Sequence, residues 1–184
     1  MKVSAIIEKV IYITTQQLAG FMATNGCWSV QNKSHLKNSS KQLNKHTKNR
    51  IIEKLPHCYR LKGARGNGDH HALALTDQLL QILLEYPEAL IYREPTLPFG
   101  RKPDAAVLIK KKSYQFFFLE YEDKNSLDYI EGKIADYQQN EKEVCLWFEN
   151  NFGIKSPNFC FHILFITEKR IPEREGILVR RTYA

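Results

Sequence analysis

The 184-residue chain is expected to be a mixed α/β (α+β) protein built from two modules, residues 1–75 and 76–184. Three observations lead to that expectation. Charge is divided unevenly: residues 1–68 carry 12 Lys and Arg against 2 Asp and Glu, whereas residues 69–184 carry 15 against 18. In the second part, apolar runs at 90–93, 105–109, 114–119 and 159–166 have strand length and are bounded by turn residues. The stretches starting at Thr76 and Ser126 have helical spacing instead. The resulting order is αβββαβ, a mixed sheet flanked by helices.

Composition narrows the class. Apolar residues at 43% and charged residues at 26% are ordinary for a globular chain, and the formal net charge is +7. Cys27, Cys58, Cys145 and Cys160 show no paired spacing. They therefore read as reduced thiols of a cytoplasmic protein rather than a zinc motif or a disulfide framework. Glu8-Lys9 and Gln16-Gln17 interrupt the apolar residues of the N-terminus, which argues against an export signal. No apolar run has the length of a membrane span, so a membrane is not an expected partner.

The first third is basic because it lacks acids, with no Asp or Glu between Glu8 and Glu53. Thr14 to Ala19 opens like a short capped helix with Leu18, Phe21 and Met22 turned inward. Asn25-Gly26 marks a turn. A polar stretch follows with sparse apolar anchors at Leu36, Leu43, Ile51 and Leu55. Within it, Lys33, Lys37, Lys41 and Lys45 recur every four residues, which lays them along one drifting helical face. Lys48, Arg50 and Lys54 extend the patch. Like charges at this spacing repel, so a phosphate-bearing polyanion would rationalise them.

The strand at Cys58–Lys62, with Arg60 and Lys62, leads into the glycine-rich turn 63–68 with Arg65. His70–Leu75 then reads as a return strand. This pattern suggests the wing of a winged helix-turn-helix, whose arginine would reach a phosphate or the minor groove. His70 and His71 are neighbours on that expected strand, so they point to opposite faces and are not read as metal ligands.

The second module carries the candidate chemistry. Thr76 is expected to cap a buried helix, and Glu94-Pro95 to end the strand at 90–93. Asp104 begins one apolar run and Glu120 ends the next, with the basic turn Lys110–Ser113 between them. An antiparallel hairpin would bring Asp104 beside Glu120, and strand alternation puts Glu122 on the same face as Glu120. Carboxylates held this close raise one another's pKa unless a cation intervenes, and magnesium or manganese takes such oxygen ligands. Glu94 is a further candidate for that shell. In the helix after Ser126, Ile130, Lys133, Ile134 and Tyr137 fall on one stripe, which turns Lys133 toward the acids. The alternative is a solvated strand end, with Lys133 reaching to water. Trp147 and Phe148 are expected to close the core, and the tail 170–184 carries only weak patterning.

Pro103-Asp104, then Glu120-Tyr121-Glu122, then Lys133 resembles the PD-(D/E)xK, or restriction-endonuclease-like, superfamily. Asp104 matches its Asp and Glu120 its (D/E). Glu122 stands where the motif has Lys, and Lys133 suits the variant pattern with the lysine on the following helix. Residues 69–140 resemble more narrowly the replication-relaxation family, similar to MOBC-type mobilisation relaxases of plasmids and mobile elements.

That resemblance implies double-stranded DNA as partner, alongside other relaxosome or replication proteins. It implies metal-dependent nicking with Mg2+ or Mn2+ held by Asp104, Glu120 and Glu122. Lys133 would meet the charge developing on phosphate oxygens, and Tyr121, Tyr129 or Tyr137 could serve as nucleophile in place of water. The competing expectation is a non-catalytic DNA-binding accessory protein using the same domain as a scaffold.

Overall fold

The structure, a computed structural model, describes residues 2–24, 35–64, 70–110, 113–122, 124–153, 161–172 and 174–180. It is mixed α/β with two sheets, and the chain separates into two compact units, Met1–Ala89 and Leu90–Ala184.

The first unit runs α1 (Val3–Val10), β1 (Tyr12–Ile13), α2 (Thr15–Thr24), α3 (His35–Lys48), β2 (Ile52–Lys54), β3 (Tyr59–Leu61) and α4 (His70–Glu85). Thr14 and Gln17 form a reciprocal cap before α2. The Thr14 N–H donates to Gln17 Oε1 at 2.9 Å, and the Gln17 N–H donates to Thr14 Oγ1 at 3.1 Å. Leu18, Ala19, Phe21 and Met22 are buried as that helix packs inward. The three short strands form an antiparallel sheet in the order β1-β3-β2, with Glu53 opposite Arg60.

Three expectations fail around residues 55–76. Residues 70–75 are helical rather than extended, so the expected junction at 75/76 falls inside α4. Thr76 is not a cap: its hydroxyl donates to the Ala72 carbonyl one turn back at 2.9 Å and to the Tyr12 carbonyl at 3.0 Å. The stripe of Leu75, Leu79, Leu80, Ile82 and Leu83 then continues the same helix. The hairpin also lies earlier than expected. Strand β3 returns on β2 across Leu55–Cys58, where the Leu55 N–H donates to the Cys58 carbonyl at 2.9 Å. The glycines of 66–68 lie outside the described residues.

The second unit is one five-stranded sheet in the order β4-β5-β6-β7-β8. Its strands are β4 (Leu90–Arg93), β5 (Ala105–Lys110), β6 (Tyr114–Tyr121), β7 (Phe161–Ile166) and β8 (Ile177–Arg180). The first three pair antiparallel, and β7 and β8 add in parallel. A parallel neighbour needs a crossover, supplied here by α5 (Leu127–Gln139) and α6 (Glu141–Phe152).

The core between these helices and the sheet gathers Phe116, Phe118, Ile134, Tyr137, Trp147 and Phe148. Phe116 meets Phe148 edge-on at 4.7 Å, and Phe118 stacks on Tyr137 at 5.0 Å. The weakly patterned tail contributes β8, entered through a turn at Gly176, where φ is 76° and the carbonyl accepts from the Ile163 N–H at 2.8 Å. Among the described residues, Cys58 and Cys145 are free thiols, and no helix is long and apolar enough to cross a membrane.

Candidate functional site

The β5–β6 hairpin pairs Ala105 with Leu119, which brings Asp104 against the end of β6. The Asp104 N–H donates to the Leu119 carbonyl at 3.1 Å, and Asp104 Oδ2 accepts from the Tyr121 N–H at 2.7 Å. Beyond β6, the Glu122 N–H donates to the Ile166 carbonyl at 3.0 Å, and Thr167 Oγ1 donates to the Glu122 carbonyl at 2.6 Å. The strand path therefore continues through Glu122, and alternation directs Glu120 and Glu122 to the same side.

Helix α5 supplies the opposite charge. Ser126 caps it, with Oγ accepting from the Tyr129 N–H at 3.2 Å. Ile130, Ile134 and Tyr137 are buried, and Lys133 emerges from the same stripe. Its ammonium donates to Glu120 Oε2 at 2.7 Å and also to Glu122 Oε1. The remaining oxygens are served by neutral donors, Tyr137 Oη to Glu120 Oε1 at 2.7 Å and Asn125 Nδ2 to Glu122 Oε2 at 2.6 Å. Both glutamates are 1% exposed, and the Lys133 side chain is 12% exposed. Lys133 and the half-exposed Asp104 are thus the rim of the cluster.

Burial dominates the electrostatics. It pushes the Glu120 carboxyl up to about 7, with the Asp104 charge adding to the effect and Lys133 and Tyr137 opposing it. Burial also works against the Lys133 ammonium, but Glu120 and Glu122 outweigh it and hold Lys133 above its ordinary value. The Tyr137 hydroxyl is held far up by burial and by Glu120. At one side, Arg101 donates from Nε to Asp136 Oδ2 at 2.6 Å. Desolvation opposes its charge, but Asp136 outweighs this and holds Arg101 above its ordinary value.

Asp104, Glu120, Glu122 and Lys133 therefore come together. Among the described residues, however, no three of His, Cys, Asp and Glu form a group that could hold a metal ion. The donors are oxygens of the right hardness for Mg2+ or Mn2+, but Lys133 holds the oxygens that the two glutamates would offer. Glu94 stays outside the cluster: its side chain is exposed, while its N–H donates to the Asp104 carbonyl at 3.1 Å. Of the three tyrosines, Tyr121 and Tyr137 are buried. Tyr129 is 45% exposed, with its ring centre 5.4 Å from Lys133 Nζ. Sequence reasoning missed Asn125 and Thr167, which no pattern marks. The contact of Tyr137 with Glu120 does have a signal in the sequence, its place four residues beyond Lys133 on the same stripe.

In the first unit, Lys37, Lys41, Lys45 and Lys48 are all exposed on α3, opposite the buried Ser39 and Leu43. Arg50 and Lys62 are exposed as well. Arg60 differs from the expectation, since it pairs with Glu53 across the sheet at 2.6 Å. Leu36, expected as an anchor, is instead 55% exposed. Lys33 and Arg65 lie outside the described residues. No family model, curated protein or solved structure matches the chain.

Proposed function

We propose that the protein binds duplex DNA of a plasmid or mobile element through its first unit and nicks it, with a divalent cation, at the Asp104–Glu120–Glu122–Lys133 cluster. The observation that carries this reading is the meeting of Lys133 with Glu120 and Glu122 beside Asp104 at one end of a mixed sheet. That is the convergence implied by the PD-(D/E)xK resemblance. The order α1-β1-α2-α3-β2-β3, with its three-stranded sheet, supports a winged helix-turn-helix reading of the first unit.

Only once Lys133 leaves Glu120 and Glu122 would these two and Asp104 offer their oxygens to Mg2+ or Mn2+, whose chemistry is to neutralise a phosphate and acidify a bound water. Lys133, at the rim, would turn from the glutamates to the phosphate oxygens. Tyr137 and Asn125 would keep the two carboxylates oriented. If a tyrosine replaces water, exposure favours Tyr129.

Incubation of supercoiled plasmid with the protein and Mg2+ or Mn2+ is expected to give open circles. Plasmid left as intact by wild type as by Asp104→Ala would remove the nicking claim. A second reading, a non-catalytic accessory protein of replication or relaxosome assembly, has one specific observation in its favour. Glu122 occupies the motif's lysine position, and Lys133 already satisfies both glutamates.

A further inference from the structure

The solvent side of α3 carries two different rows of side chains. Lys37, Lys41 and Lys45 form one row at i, i+4 and i+8, continued by Lys48. Leu36, Ser40 and Asn44 form the row beside it, again at i, i+4 and i+8, and this row has no charge. Leu36 is 55% exposed, Ser40 is half-exposed and Asn44 is exposed. The buried side of the helix is at Ser39 and Leu43, so the uncharged row faces outward together with the lysines. The hydroxyl of the buried Tyr59 of β3 approaches Asn44 Oδ1 at 3.5 Å, the long limit of a hydrogen bond.

The two rows suit the two kinds of contact that duplex DNA offers. Lysines meet phosphates, which bind and position but carry no code. A side-chain amide offers paired donor and acceptor to the N6 and N7 edge of adenine, a hydroxyl serves any base, and an apolar group fits the thymine methyl. We infer that Leu36, Ser40 and Asn44 read base edges in the major groove, with Asn44 specifying adenine and Leu36 a neighbouring thymine. This rests on the DNA-binding reading above and adds to it a sequence preference with named determinants.

The test is selection from a random 20-base-pair duplex library by wild type, Asn44→Ala, Leu36→Ala and Lys41→Ala, each first shown to be folded by circular dichroism. Wild type is expected to enrich a motif containing adenine. Asn44→Ala should lose that adenine and bind the wild-type motif about 5- to 100-fold more weakly, with affinity for unselected duplex unchanged. Leu36→Ala should lose a thymine preference instead. Lys41→Ala should keep the motif, weaken binding to all duplexes alike and lower the salt slope by about 1. If Asn44→Ala and Leu36→Ala enrich the wild-type motif unchanged, the assignment is overturned. If wild type binds duplex in a salt-dependent way but enriches nothing, base reading is overturned and DNA binding stands. If wild type binds no duplex, DNA binding itself falls.

Discussion

The protein handles charge in two opposite ways, on α3 and at the end of β6. On α3, four lysines point into solvent with no carboxylate beside them on the helix. At β6, two carboxylates are buried and every one of their oxygens receives a donor, one of them the ammonium of Lys133. The physical costs differ accordingly. Exposed like charges repel by only a few tenths of a kcal/mol per pair and are screened by salt. A buried carboxylate without partners costs several kcal/mol. The first arrangement can wait for an external partner; the second must be matched internally before anything else binds. The lysines of α3 therefore have little to do with folding, whereas Lys133 is part of it.

The strongest way to break this contrast is to remove the internal cation. Lys133→Met leaves Glu120 and Glu122 buried without their ammonium and should destabilise the protein by about 3–5 kcal/mol in urea unfolding at pH 8. A loss below about 1 kcal/mol would mean that the pair is far less buried than described. Next comes pH. Glu120 binds its proton more tightly in the folded chain, about 7 against an ordinary value of 4.5. The folded state therefore holds the extra proton between these values, and stability from this group falls as pH rises through that window, then levels off above it. The change is on the order of a few kcal/mol. Glu120→Gln should flatten the dependence of the melting temperature between pH 5 and 8, and a slope retained in the variant would place the titration elsewhere.

Smaller effects sharpen the comparison. Tyr137→Phe removes one donor from Glu120 Oε1 and should cost about 1–2 kcal/mol, with the pH window of Glu120 moving upward. Thr14→Ala opens the reciprocal cap of α2 and should cost about 1 kcal/mol by thermal denaturation, with no effect on that window. The smallest change belongs to α3, where Lys37→Ala with Lys41→Ala should leave stability within about 0.5 kcal/mol.

Legibility in the sequence followed the same physical lines. The β5–β6 hairpin was readable because two apolar runs flank a basic turn, and strand alternation then fixed which acids share a side. Lys133 was readable because a charge on a 3.6-residue apolar stripe demands a partner. Near residue 70, local signals misled. The glycines of 63–68 are stronger punctuation than Leu55–Cys58, so the sequence points to the wrong turn for the hairpin. Thr76 looks like a cap, but a threonine hydroxyl is equally satisfied by a carbonyl one turn back inside a helix. Strand β8 has only four residues, too few to show a period. Asn125 and Arg101 hold their carboxylates through contacts set by the fold, with no motif around them.

The proposal that the outward lysines serve a polyanion is tested most directly by the salt dependence of duplex DNA binding. Each phosphate contact contributes about 0.9 to the slope of log K against log salt. The double substitution at Lys37 and Lys41 is expected to lower that slope by about 2 while the protein stays as stable as wild type. An unchanged slope with unchanged affinity would contradict the account, leaving the lysines of α3 as a solvated surface and nothing more.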